Sequence, residues 1–280
     1  MHRFLTDMSL PALARAVETS RSEFMGNFGR SPLAEIYDGP EMLRVFTGVP
    51  EVSFNSVLRA HLSSERADEA IAAAVAYFAA KRTQWSWLVG TEPQPPDLEQ
   101  RLEAHGLQRR IGGMGMGIDL EAVNVVQPTA GLEIVRLDSG KMLDTFVSVY
   151  VTVFEMSDAV REPMTALERS IGCGPKHPYR RFLGLVGGKA VATTAVFLGE
   201  SVAGVYLVST LPTVRGQGIG TTMTRRALLE AREAGYRVAV LHASDAGARI
   251  YKALGFKLGT ELREYLCLDG GRDCEGVHGR

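Results

Sequence analysis

Cysteine is scarce in this chain: Cys173, Cys267 and Cys274 are all that 280 residues contain. Three scattered cysteines do not make a disulfide framework, and Cys173 with His177 supplies only half of a zinc site, so no metal is expected. Net charge is lacking too. Lys and Arg number 31 against 32 Asp and Glu, a balance of −1 that excludes the broad positive field of a nucleic-acid or membrane-surface binder. Nor is there a long apolar run: Ala70 to Ala80 falls well short of the ~20 residues that cross a bilayer. The stretch from Met1 to Ala16 breaks its apolar residues with charges and Pro11, unlike a signal peptide. What remains is 45% hydrophobic residues, ample for the core of one large domain or two. A cytoplasmic α/β protein is expected, without nucleic-acid or membrane partners and of unknown oligomeric state.

The informative feature present is Arg215-Gly216-Gln217-Gly218-Ile219-Gly220, between a strand-like run, Val202 to Val208, and a helical run beginning at Thr221. Alternate glycines permit a tight turn and close approach to the backbone. The helix that follows leaves its first N–H groups unsatisfied, at the positive end of its dipole. Together these make an anion cradle, with Arg215 and Arg225 able to add charge. No Gly-Lys-Ser or Gly-Lys-Thr ends the run, and the spacing is not that of a dinucleotide fold.

Around this loop the C-terminal half predicts strands at Leu132 to Leu137, Arg181 to Val186, Ala190 to Phe197, Val202 to Val208 and Arg237 to Ala243. Helices are predicted at Lys141 to Phe154, Glu162 to Ile171, Gly220 to Ala234 and Gly247 to Leu254, with a final strand pair around Phe256 and Tyr265. Met223, Ala227, Leu228 and Ala231 form the apolar stripe of the helix after the loop, leaving Arg225, Arg226, Glu230 and Arg232 off it. Val126 to Gly131 reads as a linker, and the tail from Gly270 as disordered.

Arg215, Gly218 and Gly220 in this strand–loop–helix setting, followed by Ala243 to Phe256 ending in Leu-Gly-Phe, resemble the acyl-CoA loop and the later helix of the GNAT N-acetyltransferases. The resemblance covers about residues 131 to 268. The N-terminal half resembles a second copy. Asp97 to Leu107 parallels Ala246 to Phe256, with Gly106 opposite Gly255 and Leu102 in the place of Tyr251, while Asp68 to Lys81 and Trp85 to Val89 parallel the cofactor helix and the next strand. Opposite the glycine loop stand Ser64 to Glu69, whose side chains and charges would repel a pyrophosphate. The resulting expectation is an α/β (α+β mixed sheet) chain of two tandem GNAT-like domains: 1–125 degenerate, 126–131 linker, 132–268 catalytic and 269–280 a tail. Gly112 to Gly117 reads as a flexible turn before a strand at Ile118 to Leu120.

The resemblance implies transfer of an acetyl group from acetyl-CoA to a primary amine of a small molecule or peptide by direct attack. It places the thioester against backbone groups of Val208, Ser209 and Thr210. The pyrophosphate falls on Arg215, Gly216, Gln217, Gly218, Ile219, Gly220 and Thr221. Ser244 stands where many members have a cofactor-contacting asparagine, and Tyr251 matches the tyrosine that protonates the departing thiolate. No carboxylate lies on Val202 to Val208; His242 has the intrinsic pKa of a candidate base, and a water relay or an amine arriving already neutral would remove the need for one. Glu155 and Asp158 are candidates for recognising the acceptor. A non-catalytic acyl-CoA sensor or scaffold, or a pure interaction module, are the alternatives.

Overall fold

A computed structural model describes residues 4–124 and 129–268. In chain order the elements are α1 (Leu10–Gly26), β1 (Glu35–Asp38), β2 (Leu43–Phe46), β3 (Ser56–Leu58), α2 (Ala67–Ala80), β4 (Trp85–Val89), α3 (Leu98–Ala104), β5 (Gln108–Asp119), β6 (Leu132–Arg136), α4 (Leu143–Val153), α5 (Asp158–Ile171), β7 (Tyr179–Val186), β8 (Lys189–Leu198), β9 (Ala203–Thr210), α6 (Ile219–Glu233), β10 (Val238–Ala243), α7 (Asp245–Ala253) and β11 (Lys257–Cys267). The helices and strands read from the C-terminal half are all present except the closing strand pair, which is instead one unbroken strand, β11. α5 starts a turn earlier than expected, so Pro163 lies inside it rather than in its first turn.

The elements form two compact units: Met1–Phe24 with Gly113–Thr260, and Met25–Gly112 with Glu261–Arg280. The expected division at 126–131 is therefore not where the fold divides, and Val126 to Pro128 lie outside the described residues. The expected tail at 269–280 lies outside them as well.

In the first unit the strands run in the order β5-β10-β9-β8-β7-β6. Only β9 and β10 are parallel; every other neighbouring pair is antiparallel. On one face α6 buries Met223, Ala227, Leu228 and Ala231 against Phe182, Val196 and Val205. Burial of a Met or Leu side chain is worth about 1.5–3 kcal/mol, so this stripe alone fixes α6 on the sheet. Glu230 lies off this stripe, as expected, but does not face solvent. It is buried and accepts from Arg136 at 2.7 Å, from Arg180 at 2.8 Å and from Arg226. A second buried carboxylate, Glu168 of α5, accepts from Tyr179 at 2.9 Å and from Arg181, binding α5 to β7.

On the other face lies α1. The run Gly112 to Gly117 is not a turn but the middle of β5, and its glycines make room for this helix. A Cβ at Gly115 would stand 2.7 Å from Val17 Cγ1 and 2.9 Å from Thr260 Cγ2, and one at Gly117 would stand 2.5 Å from Leu13 Cδ2. Farther along α1, Phe24 stacks on Tyr206 with ring centroids 3.9 Å apart, and Ser20 Oγ lies 2.8 Å from the Tyr206 hydroxyl.

The second unit repeats the plan in the order β1-β2-β3-β4-β11, again with one parallel pair, β3 and β4. Its core packs Ile71, Ala74, Val75 and Phe78 of α2 on Trp85 and Trp87. The correspondence extends to hydrogen bonds at the helix ends. Leu107 N–H donates to Leu102 O at 3.0 Å as Phe256 N–H donates to Tyr251 O at 3.0 Å, and Gly106 and Gly255 both have positive φ, 84° and 99°. The expected pairing of Leu102 with Tyr251 is thus met in three dimensions. Each unit completes its sheet with the strand following the other copy's last helix: β5 pairs with β10, and β11 with β4. Cys173 is free and Cys267 is disulfide-bonded.

Gly115→Ala tests the seat of α1. Val17 and Thr260 are β-branched and stiff about χ1, so neither can swing aside. The substitution is expected to destabilise the fold by about 1–3 kcal/mol, read as a lower urea midpoint with an unchanged slope.

Candidate functional site

The parallel pairing of β9 and β10 covers only Ala203 to Val205 with Ala239 to Leu241. Beyond it each strand keeps its outer neighbour: β9 pairs with β8 as far as Thr210, and β10 with β5 as far as Ala243. The strands therefore part, and from Tyr206 onward the edge of β9 that faced β10 is unpaired. Leu207 marks the parting. Its φ is 51°, a left-handed value that costs a non-glycine residue about 1–2 kcal/mol, and the β8–β9 register slips at the same place. Val208, Ser209 and Thr210, expected to meet a thioester, lie on this stretch.

From Thr210 the chain enters the glycine loop. Gly216 and Gly218 take φ of 78° and 77°, and Gly218 is the N-cap of α6 without any side-chain cap. Thr222 N–H is the first in α6 to find a carbonyl, that of Gly218 at 3.0 Å. Among the described residues the N–H groups of Ile219, Gly220 and Thr221 have no acceptor. At Gly220 a Cβ would come 3.4 Å from Thr210 Oγ1. Arg215 secures the loop, its Nε donating to Thr210 O at 3.1 Å, and Gln217 is exposed on its rim. Thr129 Oγ1, 2.9 Å from Thr222 Oγ1, braces the first turn of α6. Unpaired strand edge and uncapped helix thus follow one another along the chain, a slot for an extended polar chain ending at an anion cradle.

The corresponding place in the second unit is filled. Arg59, two residues past the last β3–β4 pair as Leu207 is past the last β9–β10 pair, has the same φ of 51°. There the chain then rejoins β4: His61 bridges Gln94, and Leu62 N–H donates to Gln94 O at 3.2 Å. At the start of α2, Asp68 accepts from Arg101, whose guanidinium also donates to Ser64 O at 3.1 Å. Charge and backbone of the copy's own chain occupy what is open in the first unit.

Tyr251, on α7, is half-buried with its ring 5.6 Å from that of Phe256, and it packs on the same core as Val208 and Leu211. Burial pushes its phenol up to about 12. Ser244 is the N-cap of α7, its hydroxyl accepting from Gly247 N–H at 3.3 Å, which is a structural duty for a residue expected to touch cofactor. His242 faces α1, with the Tyr206 ring 6.4 Å away. Burial, reinforced by Arg21, pushes it down to about 3 despite an opposing hydrogen bond with the backbone of Val17. It stays neutral at physiological pH but is too weakly basic to hold a proton taken from an ammonium. Glu155, at φ 53° after α4, and Asp158, in the first turn of α5, are both exposed, and Asp158 pairs loosely with Arg161 at 3.8 Å. Neither is drawn toward the slot by a contact. Among the described residues no cluster of three or more His, Cys, Asp and Glu could hold a metal ion, and no helix is long and apolar enough to cross a membrane.

Residues 140–259 match the family model of an acetyltransferase (GNAT) domain. Among solved structures the chain is similar to a GCN5-related N-acetyltransferase from Kribbella flavida, at 18% identity and a TM-score of 0.68, with 93% of this chain and 96% of that one covered. It is similar to a GCN5-related N-acetyltransferase from Sphaerobacter thermophilus, at 14% identity and 0.58, covering 95% and 94%. A tandem GNAT protein from the clavulanic acid biosynthesis pathway is alike at 16% identity and 0.55, covering 94% and 95%. No curated protein matches the chain. At these identities the likeness establishes a mixed α/β, tandem GNAT fold over nearly the whole chain.

Ser244→Ala removes the cap of α7 and is expected to lower stability by about 1 kcal/mol in chemical denaturation.

Proposed function

We propose that this chain transfers an acetyl group from acetyl-CoA to a primary amine of a small molecule or peptide, a reading supported by the match of residues 140–259 to the family model of an acetyltransferase (GNAT) domain. The observation that carries the reading is the unpaired edge of β9 running directly into the uncapped N-terminus of α6. A pantetheine arm is an extended chain of amides and would take up the hydrogen bonds of that edge at Val208, Ser209 and Thr210. The pyrophosphate would take the free N–H groups from Gly216 to Thr221, with Arg215 beside it. Donors fixed on the strand also stabilise the oxyanion that forms when an amine attacks the thioester carbonyl.

Tyr251 is the proposed acid. A phenol held near 12 keeps its proton through neutral pH and is available to the thiolate as it departs. His242 is not retained as the base, since a group held near 3 cannot keep the amine's proton. The acceptor therefore reaches the thioester as the free amine, its proton lost to water. A cytoplasmic setting and a small-molecule or peptide acceptor belong to the same proposal, and Glu155 and Asp158 are the exposed carboxylates nearest the α4–α5 turn for a cationic acceptor to meet. The absence of a carboxylate on β9 equally suits the second reading, a protein that binds acyl-CoA without transferring it.

Four measurements bear on these points. Acetyl-CoA is expected to raise the melting temperature of the wild-type protein, and Gly218→Glu or Gly220→Glu, each adding bulk and negative charge at the cradle, to abolish the shift. A full shift in both variants would sink the cradle. For Tyr251→Phe, kcat is expected to fall by about 100-fold, within the range of general acid catalysis, with acetyl-CoA affinity kept. In the wild type the rate should rise with pH as the amine deprotonates and show no fall before about pH 10, because the acid holds its proton to about 12. Absence of turnover with every free amine, peptide and aminoglycoside tried, while acetyl-CoA binds, would favour the sensor.

A further inference from the structure

The left-handed turn at Leu207 opens the slot, and such a turn in a non-glycine residue persists only where its surroundings hold it. The hold is visible. Thr193 of β8, fully buried, donates its hydroxyl proton to Leu207 O at 2.6 Å. The same Thr193 Oγ1 lies 2.6 Å from the buried hydroxyl of Ser209. A hydroxyl has one proton to give; with that of Thr193 committed to Leu207 O, Ser209 must be the donor to Thr193. The three groups form a directed chain, Ser209 O–H to Thr193 O–H to the Leu207 carbonyl. It spans the register slip from one side of the bulge to the other. β3 of the second unit ends at Leu58, one residue before Arg59, so no strand pairing extends past its own left-handed residue, and there the chain closes back onto Gln94.

We propose that Thr193 is a positioning residue for acyl-CoA: its hydroxyl, oriented by Ser209, fixes the Leu207 carbonyl and so keeps β9 parted from β10. This inference rests on the reading of the β9 edge as the acyl-pantetheine slot. Thr193 touches no ligand in it. Loss of its hydroxyl leaves the partly buried Leu207 carbonyl without its donor and removes the restraint on the bulge, so the slot loses its shape while the α6 cradle, on the far side of the glycine loop, keeps its donors.

The test compares acetyl-CoA with its pantetheine-free nucleotide half, 3′-phospho-ADP, by calorimetry. Thr193→Val is expected to weaken acetyl-CoA binding about tenfold while changing 3′-phospho-ADP binding less than about twofold, and Thr193→Ser, which restores the donor, to return acetyl-CoA affinity to the wild-type value. Equal loss of both ligands, or wild-type acetyl-CoA affinity in Thr193→Val, overturns the proposal. Should Thr193→Val fail to fold, Ser209→Ala takes its place, with about threefold weaker acetyl-CoA binding expected and no change counting against the idea. Wild-type protein that binds 3′-phospho-ADP but gains nothing from the acyl-pantetheine arm removes the slot reading itself; binding of neither ligand removes the cradle as well.

Discussion

Everything proposed for this chain depends on two parallel strands that stop pairing. In an ordinary parallel sheet, β9 and β10 would exchange backbone hydrogen bonds along their shared length, and the sheet would offer a ligand nothing but side chains. Here the shared ladder ends at Val205 and Leu241. A left-handed residue at Leu207 turns β9 away, β8 and β5 hold the two strands from outside, and the backbone of residues 206–210 is left with donors and acceptors to satisfy. Unsatisfied backbone groups cost on the order of 1–3 kcal/mol each when buried, so a partly sheltered open edge favours a ligand that can act as the missing strand.

The two copies in the chain show how little separates an open site from a closed one. Both keep the parallel pair and the left-handed residue two positions past it, Leu207 in one and Arg59 in the other. The difference is downstream. In the first unit a glycine loop carries the chain away to an uncapped helix. In the second, the connection brings His61 back beside Gln94, and Asp68 and Arg101 neutralise each other at the head of α2. An anion approaching α2 would meet a carboxylate already paired, whereas at α6 it would meet free N–H groups and Arg215. The proposal of one cofactor site in a doubled fold rests on the path of the connection and on local charge.

Much of this was legible in the sequence. The apolar stripe Met223, Ala227, Leu228 and Ala231 is the buried face of α6, Trp85 to Val89 is β4 to the residue, and the alignment of Gly106 with Gly255 is matched by the same helix-end hydrogen bond in each copy. What was not legible depends on partners distant in sequence. Gly113, Gly115 and Gly117 read as a turn because glycine weakens a strand; instead Gly115 and Gly117, two apart, leave one strand face bare for Val17 and Leu13 of α1, about a hundred residues earlier, while Gly113 takes a φ of 93° against the Ala243 carbonyl. The unit boundaries were missed for the same reason, since each sheet takes its last strand from the other half of the chain. The burial of Glu230 was not legible, because nothing local announces that Arg136 and Arg180 converge on it.

The misreading of His242 is the most instructive for chemistry. Its intrinsic pKa suits a base, and its position late in β10 puts it next to the slot. Its side chain, however, lies on the α1 face, where burial and Arg21 strip it of basicity. A histidine's usefulness as a base is a property of its surroundings, and those surroundings were supplied by the first helix of the chain. The same helix stacks Phe24 on Tyr206 and sets Ser20 beside the Tyr206 hydroxyl, one residue before the bulge. α1 thus contributes to the face of β9 opposite α6, where His242 is held neutral by burial and by the charge of Arg21.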